Sequence, residues 1–217
     1  MSDRPGVAAF DFDGTLARRD TIVPFLVAAT GWPRLTVAGL ASLHTGVRRG
    51  RDEMKLATVA RLFRGWTEDR FVEHGRTYAA TLVELLRPAM LQRLRWHQDQ
   101  GHPVVLVSAS LATYLRPLAL ELGIDDVLAV ELDCDATGCL TGAVAGGANC
   151  RGPQKVVRLK AWLAERYGAG VDAEVWAYGD SSGDEELLAF ADHGTWVGKR
   201  ADRPAATKPT PPTPPPA

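Results

Sequence analysis

The sequence has little that would staple a small secreted fold together. It has three cysteines in 217 residues, Cys134, Cys139 and Cys150, with no CxxC pair and no histidine at metal-ligand spacing. An odd number of unclustered thiols argues against a disulfide framework and against a zinc site. Free thiols in a reducing cytoplasm are the expectation, and a Cys134 to Cys139 bridge across a short turn is the alternative. Charge of one sign is also missing: 25 Lys and Arg stand against 26 Asp and Glu. No global field therefore gathers nucleic acid or anionic membrane, and any bound anion must be gripped locally. Long apolar runs are absent as well. The nearest approach, residues 22–43, is broken by Gly31, by Trp32, Pro33 and Arg34, and by Gly39, so no membrane span is expected. The opening MSDRPGVAAFDFDGT has no apolar stretch ahead of its acids, so no secretory signal is expected either.

What is present is enough apolar residue, 46%, for one ordinary domain with a modest insert. Short apolar runs over 7–10, 104–107 and 175–178 each end in polar residues, namely Asp11 and Asp13, Ser108, and Asp180. These read as buried strands that deliver chemistry at equivalent ends. Helical spacing precedes the second strand and ends at Gly101. A helix over 111–122, a strand over 127–132, a hairpin turn at 135–138 and a helix over 153–167 complete the pattern. Strands alternating with helices imply an α/β fold, a doubly wound, mostly parallel sheet. Residues 21–87 interrupt the alternation with apolar positions at helical spacing, such as Met54, Val59, Phe63 and Phe71. They read as a helical cap inserted after the first strand, leaving 1–20 and 88–200 as the core. Residues 201–217 are too proline-rich to pack and read as a disordered tail.

Asp11 and Asp13 are two residues apart, a spacing that puts both on one face of a strand end, and Gly14 lets the chain turn there and bring both into one crevice. Asp180 and Asp184 add carboxylates, and clustered acids call for a hard divalent cation such as Mg²⁺. A phosphate needs donors, and Ser108 with the amides of Ala109 and Ser110, read as the start of a helix, supplies them. Lys155 falls in the first turn of a helix, where the macrodipole disfavours a cation. That misfit suggests that it meets an anion.

With these residues in place, the chain resembles the haloacid dehalogenase superfamily, and within it the phosphoserine-phosphatase-like subfamily IB hydrolases with a helical cap, whose fold is Rossmann-like. DFDGT at 11–15, Ser108 of LVSAS, Lys155 of GPQK and YGDSSGDEELL with Asp180 and Asp184 appear in order. The resemblance implies that Asp11 is a nucleophile that becomes phosphorylated and that Asp13 is a general acid and base. It implies Mg²⁺ held by Asp11, the Asp13 carbonyl and Asp180, with Asp184 ordering its waters. Ser108, Ala109, Lys155 and Thr15 would hold the phosphoryl group, and Asp20 is either a substrate-reading acid or a helix cap.

The pattern departs from the subfamily in three places, one of them a later asparagine of a strand-end loop that is replaced within TWVGKR. Val59 stands where phosphoserine phosphatases carry a carboxylate-reading arginine, with Arg61 and Arg64 only nearby, which argues against phosphoserine. Gly183 stands where that group has asparagine. The expected substrate is a small phosphomonoester, and no nucleic acid is expected as a partner. Trp66, Trp96, Trp162, Trp176 and Trp196 read as packing rather than as a stacking platform. The basic group Arg48, Arg49 and Arg51 reads as solvated surface. A non-catalytic or phospho-accepting signalling or interaction module on the same fold is the alternative, with the cap or the proline tail as its protein-binding part.

Overall fold

The computed structural model describes residues 4–198; the tail over 201–217 lies outside them, as do the side chains of Arg48, Arg49 and Arg51. Strand β1 is Gly6–Phe10, whose residues 7–10 are fully buried, as suits a strand covered on both faces. Helices α1 (Ile22–Thr30), α2 (Trp32–Arg49), α3 (Arg51–Phe63) and α4 (Glu68–Ala79) follow. The chain then resumes with α5 (Pro88–Asp99), β2 (Val104–Leu111), α6 (Ala112–Leu122) and β3 (Asp126–Val130). After these come β4 (Leu132–Cys134), β5 (Leu140–Val144), α7 (Pro153–Tyr167), β6 (Glu174–Gly179), α8 (Glu185–Phe190) and β7 (His193–Trp196).

The main sheet is parallel throughout, in the order β3-β2-β1-β6-β7. The chain builds outward from β1 on one side, then returns to the other side with β6. Such a reversal leaves a crevice at the carboxyl ends of the two strands that flank it, β1 and β6. Asp11 follows β1 and Asp180 follows β6, so the topology alone sets these two carboxylates side by side.

Two local expectations are corrected. The strand expected over 127–132 divides: β3 ends at Val130, and Leu132 begins an antiparallel hairpin with β5. The three cysteines are free. The helix expected from Leu111 starts at Ala112, because β2 continues through Ser108 to Leu111 with an irregular register against β3. Ser108 therefore sits inside a strand, and the amides of Ala109 and Ser110 are not a helix N-terminus.

An aromatic cluster fixes the inserted helices to the sheet-side elements. Phe25 of α1 meets Tyr114 of α6 at 5.0 Å between ring centroids, and Phe63 of α3 meets Phe71 of α4 at 4.8 Å. Burying one such side chain is worth roughly 1.5–3 kcal/mol. The β4–β5 hairpin adds backbone bonds: Gly65 N donates to the Leu140 carbonyl at 2.8 Å, and Leu140 N donates to the Trp66 carbonyl at 2.8 Å.

Candidate active site

The carboxylates and Lys155 converge at the carboxyl ends of β1 and β6. Lys155, the third residue of α7, is 2% exposed, and its Nζ donates to Asp11 Oδ1 and to Asp184 Oδ1, each at 2.6 Å. Burial alone would lower its pKa, but the two carboxylates hold it above its ordinary value. Its misfit with the helix dipole thus has a local cause.

Asp184 is itself buried, and its Oδ2 accepts from Ser181 N and Ser181 Oγ, both at 2.9 Å, and from Asp180 N at 3.2 Å. Oxygens of Asp11, Asp180 and Asp184 lie within 4.8 Å of one another. Burial, with Asp184 as a further contributor, raises the Asp180 carboxyl pKa. Burial raises that of Asp11 also, Lys155 opposing it and Asp184 adding to it. Three carboxylates against one ammonium leave an excess of negative charge, and an all-oxygen donor set of this kind suits Mg²⁺.

Gly14 makes the cluster possible. Its φ of 83° is in the left-handed region, and a Cβ there would collide with the Asp180 carboxylate. Arg87 Nε donates to the Gly14 carbonyl at 3.2 Å and so ties the turn to the chain leading into α5.

Asp13 faces different partners. Its Oδ1 accepts from Thr21 N at 2.9 Å and from Thr21 Oγ1 at 2.6 Å, and its Oδ2 accepts from Ser110 Oγ. Burial lifts its pKa to about 6, the hydrogen bonds from Ser110 and Thr21 working against the rise. Neither Ser110 nor Thr21 was singled out in the sequence as a partner of Asp13. Ser110 stood only as an amide donor beside Ser108, and nothing local marked Thr21.

A cavity of about 620 Å³ covers the cluster. Asp11, Asp13, Ser108, Ala109, Lys155 and Asp180 line it, and Ile22, Leu56 and Val59 of the inserted helices form an apolar wall. Ser108 is buried, and its Oγ accepts from Ser110 N at 3.1 Å. Thr15 does not line the cavity. It is fully buried, and its hydroxyl donates to Asp180 Oδ1 at 3.5 Å. Asp20 lines the cavity but is already engaged. Its Oδ1 caps α1 by accepting from Ile22 N at 3.1 Å, and its Oδ2 pairs with Lys55 Nζ at 2.9 Å. Arg151 pairs with Asp52 at 2.7 Å, a second ion pair joining α3 to the sheet side of the cavity.

Residues 8–189 match the family model of haloacid dehalogenase-like hydrolases. The chain belongs to that family. It is 36% identical over 199 residues to protein CicA of Caulobacter vibrioides, covering 88% of this chain and 86% of that protein. It is 28% identical over 194 residues to the inhibition of morphological differentiation protein of Streptomyces azureus, covering 83% and 67%. Among solved structures, a probable phosphoserine phosphatase from Vibrio cholerae shares the fold with a TM-score of 0.66 at 17% identity, covering 94% of this chain and 60% of that one. A substrate-bound phosphoserine phosphatase complex shares it with a TM-score of 0.59 at 16% identity, covering 90% and 86%.

Proposed function

We propose that the protein is a Mg²⁺-dependent phosphatase that hydrolyses a small organic phosphomonoester through an aspartyl phosphate on Asp11. The reading rests on one arrangement: Asp11, Asp180, Asp184 and Lys155 packed at one end of the cavity, with Asp13, held by three donors, lining the same cavity.

In the first half-reaction an oxygen of Asp11 attacks phosphorus. The new O–P bond forms as the bond to the alcohol breaks, and Asp13 gives its proton to the leaving alkoxide. In the second half-reaction Asp13 takes a proton from water as that oxygen bonds to phosphorus. The acyl phosphate bond breaks, releasing phosphate and restoring Asp11. A carboxyl pKa of about 6 lets one group serve in both directions near neutral pH. Ser108, the Ala109 backbone and Lys155 would hold the phosphoryl oxygens. Asp11, Asp180 and the Asp13 carbonyl would hold the cation with Asp184 behind them, and the cation would neutralise the charge on the phosphoryl group.

Val59, which stands where phosphoserine phosphatases carry a carboxylate-reading arginine, lines the apolar wall with Ile22 and Leu56, and this favours a phosphomonoester other than phosphoserine, although Arg18, Arg19, Lys55, Arg87 and Arg151 line other parts of the cavity. The test is phosphate release from phosphoserine, histidinol phosphate, sugar phosphates and lysophosphatidate, with Mg²⁺ or EDTA, for wild type and Asp11→Asn. Metal-dependent turnover lost in the variant is expected. Its absence across the panel from folded, Mg²⁺-loaded protein would favour the non-catalytic module.

A further inference from the structure

Five of the ten exposed large apolar side chains of the described residues stand on α2: Trp32, Val37, Leu40, Leu43 and Val47, with exposures between 51% and 87%. They do not scatter around the helix. At 3.6 residues per turn they fall within an arc of about 140°, opposite the buried Ala38 and Ser42. The helix therefore has two apolar faces, one against its neighbours and one against solvent. A soluble surface rarely leaves such a stripe uncovered.

The sequence that carries the stripe has charge of one sign. Between Asp20 and Asp52 the sequence has no acidic residue, while Arg34, Arg48, Arg49 and Arg51 fall in that span. Between α2 and α3 runs a groove of about 670 Å³, with Val37, Ala38, Ala41 and Leu62 in its lining and Arg34, Arg61 and Arg64 beside them. No acid lines it, and those three arginines form no ion pair with a described residue.

We propose that α2 is an interfacial helix that seats this face on an anionic lipid surface. Trp32, Leu40, Leu43 and Val47 would enter the boundary between headgroups and acyl chains, as the apolar face of an amphipathic helix does. Arg34, Arg61 and Arg64 would meet lipid phosphates, for which the guanidinium fork is suited. A second copy of the chain is a poorer occupant, because a symmetric pairing would bring arginines toward arginines with no acid between them. The reading is independent of the proposed catalysis. It also has a spatial consequence: α3 is shared, its Leu56 and Val59 lining the active cavity and its Arg61 and Leu62 lining the groove.

The test is partition of the full chain onto vesicles of phosphatidylcholine alone or with one-third phosphatidylglycerol, by co-sedimentation and light scattering. Binding to the anionic vesicles, weakened by added salt, is expected. Leu40→Glu with Val47→Glu should reduce it by at least about tenfold. Arg61→Ala with Arg64→Ala should reduce it by roughly 25-fold, about fivefold per arginine. All four positions are at least partly solvent-facing, so unchanged circular dichroism and melting are expected to accompany the loss. No binding to anionic vesicles, equal binding to both vesicle types, or binding that neither pair of substitutions weakens would overturn the proposal. So would a soluble dimer that Leu40→Glu disperses in a protein without vesicle affinity.

Discussion

Ser110 is the residue on which the proposed acid and base depends without itself meeting the substrate. Its hydroxyl donates to Asp13 Oδ2, on the opposite side of the carboxylate from Thr21. A hydrogen bond to a charged group is worth about 1.5–3 kcal/mol. Ser110→Ala should therefore lower kcat by about tenfold or more and cost about 1–3 kcal/mol of stability while leaving KM nearly unchanged, and Ser110→Thr should restore most of the rate. A KM effect without a kcat effect would assign Ser110 to substrate binding instead. Gly14→Ala should be more severe, because it combines a φ of 83° with a collision against Asp180. A loss of more than about 2 kcal/mol by denaturant titration is expected, together with weakened Mg²⁺ binding by calorimetry. The acids and Lys155 were legible in the sequence because each follows an apolar run or opens a helix at a fixed offset. The hydroxyls around Asp13 were not. Ser108 and Ser110 look like the end of a strand, yet β2 continues through both: the Ser108 hydroxyl accepts from Ser110 N, and only the Ser110 hydroxyl reaches a distant partner, Asp13.

At the scale of elements, the inserted helices are joined to the rest by contacts of unequal strength. The aromatic cluster and the backbone bonds to the hairpin are permanent in character, whereas Lys55–Asp20 and Arg151–Asp52 are partly exposed pairs with little stabilising effect. Asp52→Ala with Lys55→Ala should change stability by less than about 1 kcal/mol, yet increase amide hydrogen exchange in α3. Unchanged exchange there would mean that the pairs do not restrain the helix. The crossing of α4 on α6 is the tighter seam. A Cβ on Gly75 would collide with the Thr113 carbonyl, so Gly75→Ala should destabilise the fold by about 1–3 kcal/mol, read from the denaturant midpoint. The helices of this region were readable from apolar spacing. Their attachment to β5 was not, because the bonds between Gly65, Trp66 and Leu140 link positions about 75 residues apart, and no local pattern encodes them.

The sheet as a whole shows the same division, and it holds the group that most directly ties stability to pH. Alternating strands and helices announced a parallel sheet, but the order around β1 is a choice among distant partners that periodicity does not specify. His97 of α5 packs against that sheet fully buried. Its Nε2 lies 2.9 Å from Tyr178 Oη and its Nδ1 lies 3.0 Å from His102 Nδ1. Burial first, then His102, Arg93 and His193, lower its pKa to about 3. Above pH 6.5 the imidazole is neutral whether the chain is folded or not, so it adds no linkage there. Between 6.5 and 3 only the unfolded chain takes up the proton, so the contribution of His97 falls as pH falls, by on the order of 5 kcal/mol across the full window. Asp11 and Asp13, with raised pKa values, act in the opposite direction, so the net curve does not isolate His97. Its difference from a variant does: His97→Gln should be clearly less stable than wild type at pH 7, and the two denaturant midpoints should approach one another by pH 4.5. A gap that stays constant across that range, or an imidazole resonance of His97 that titrates near 6.5, would mean that the buried pair with Tyr178 opens to solvent in the folded protein.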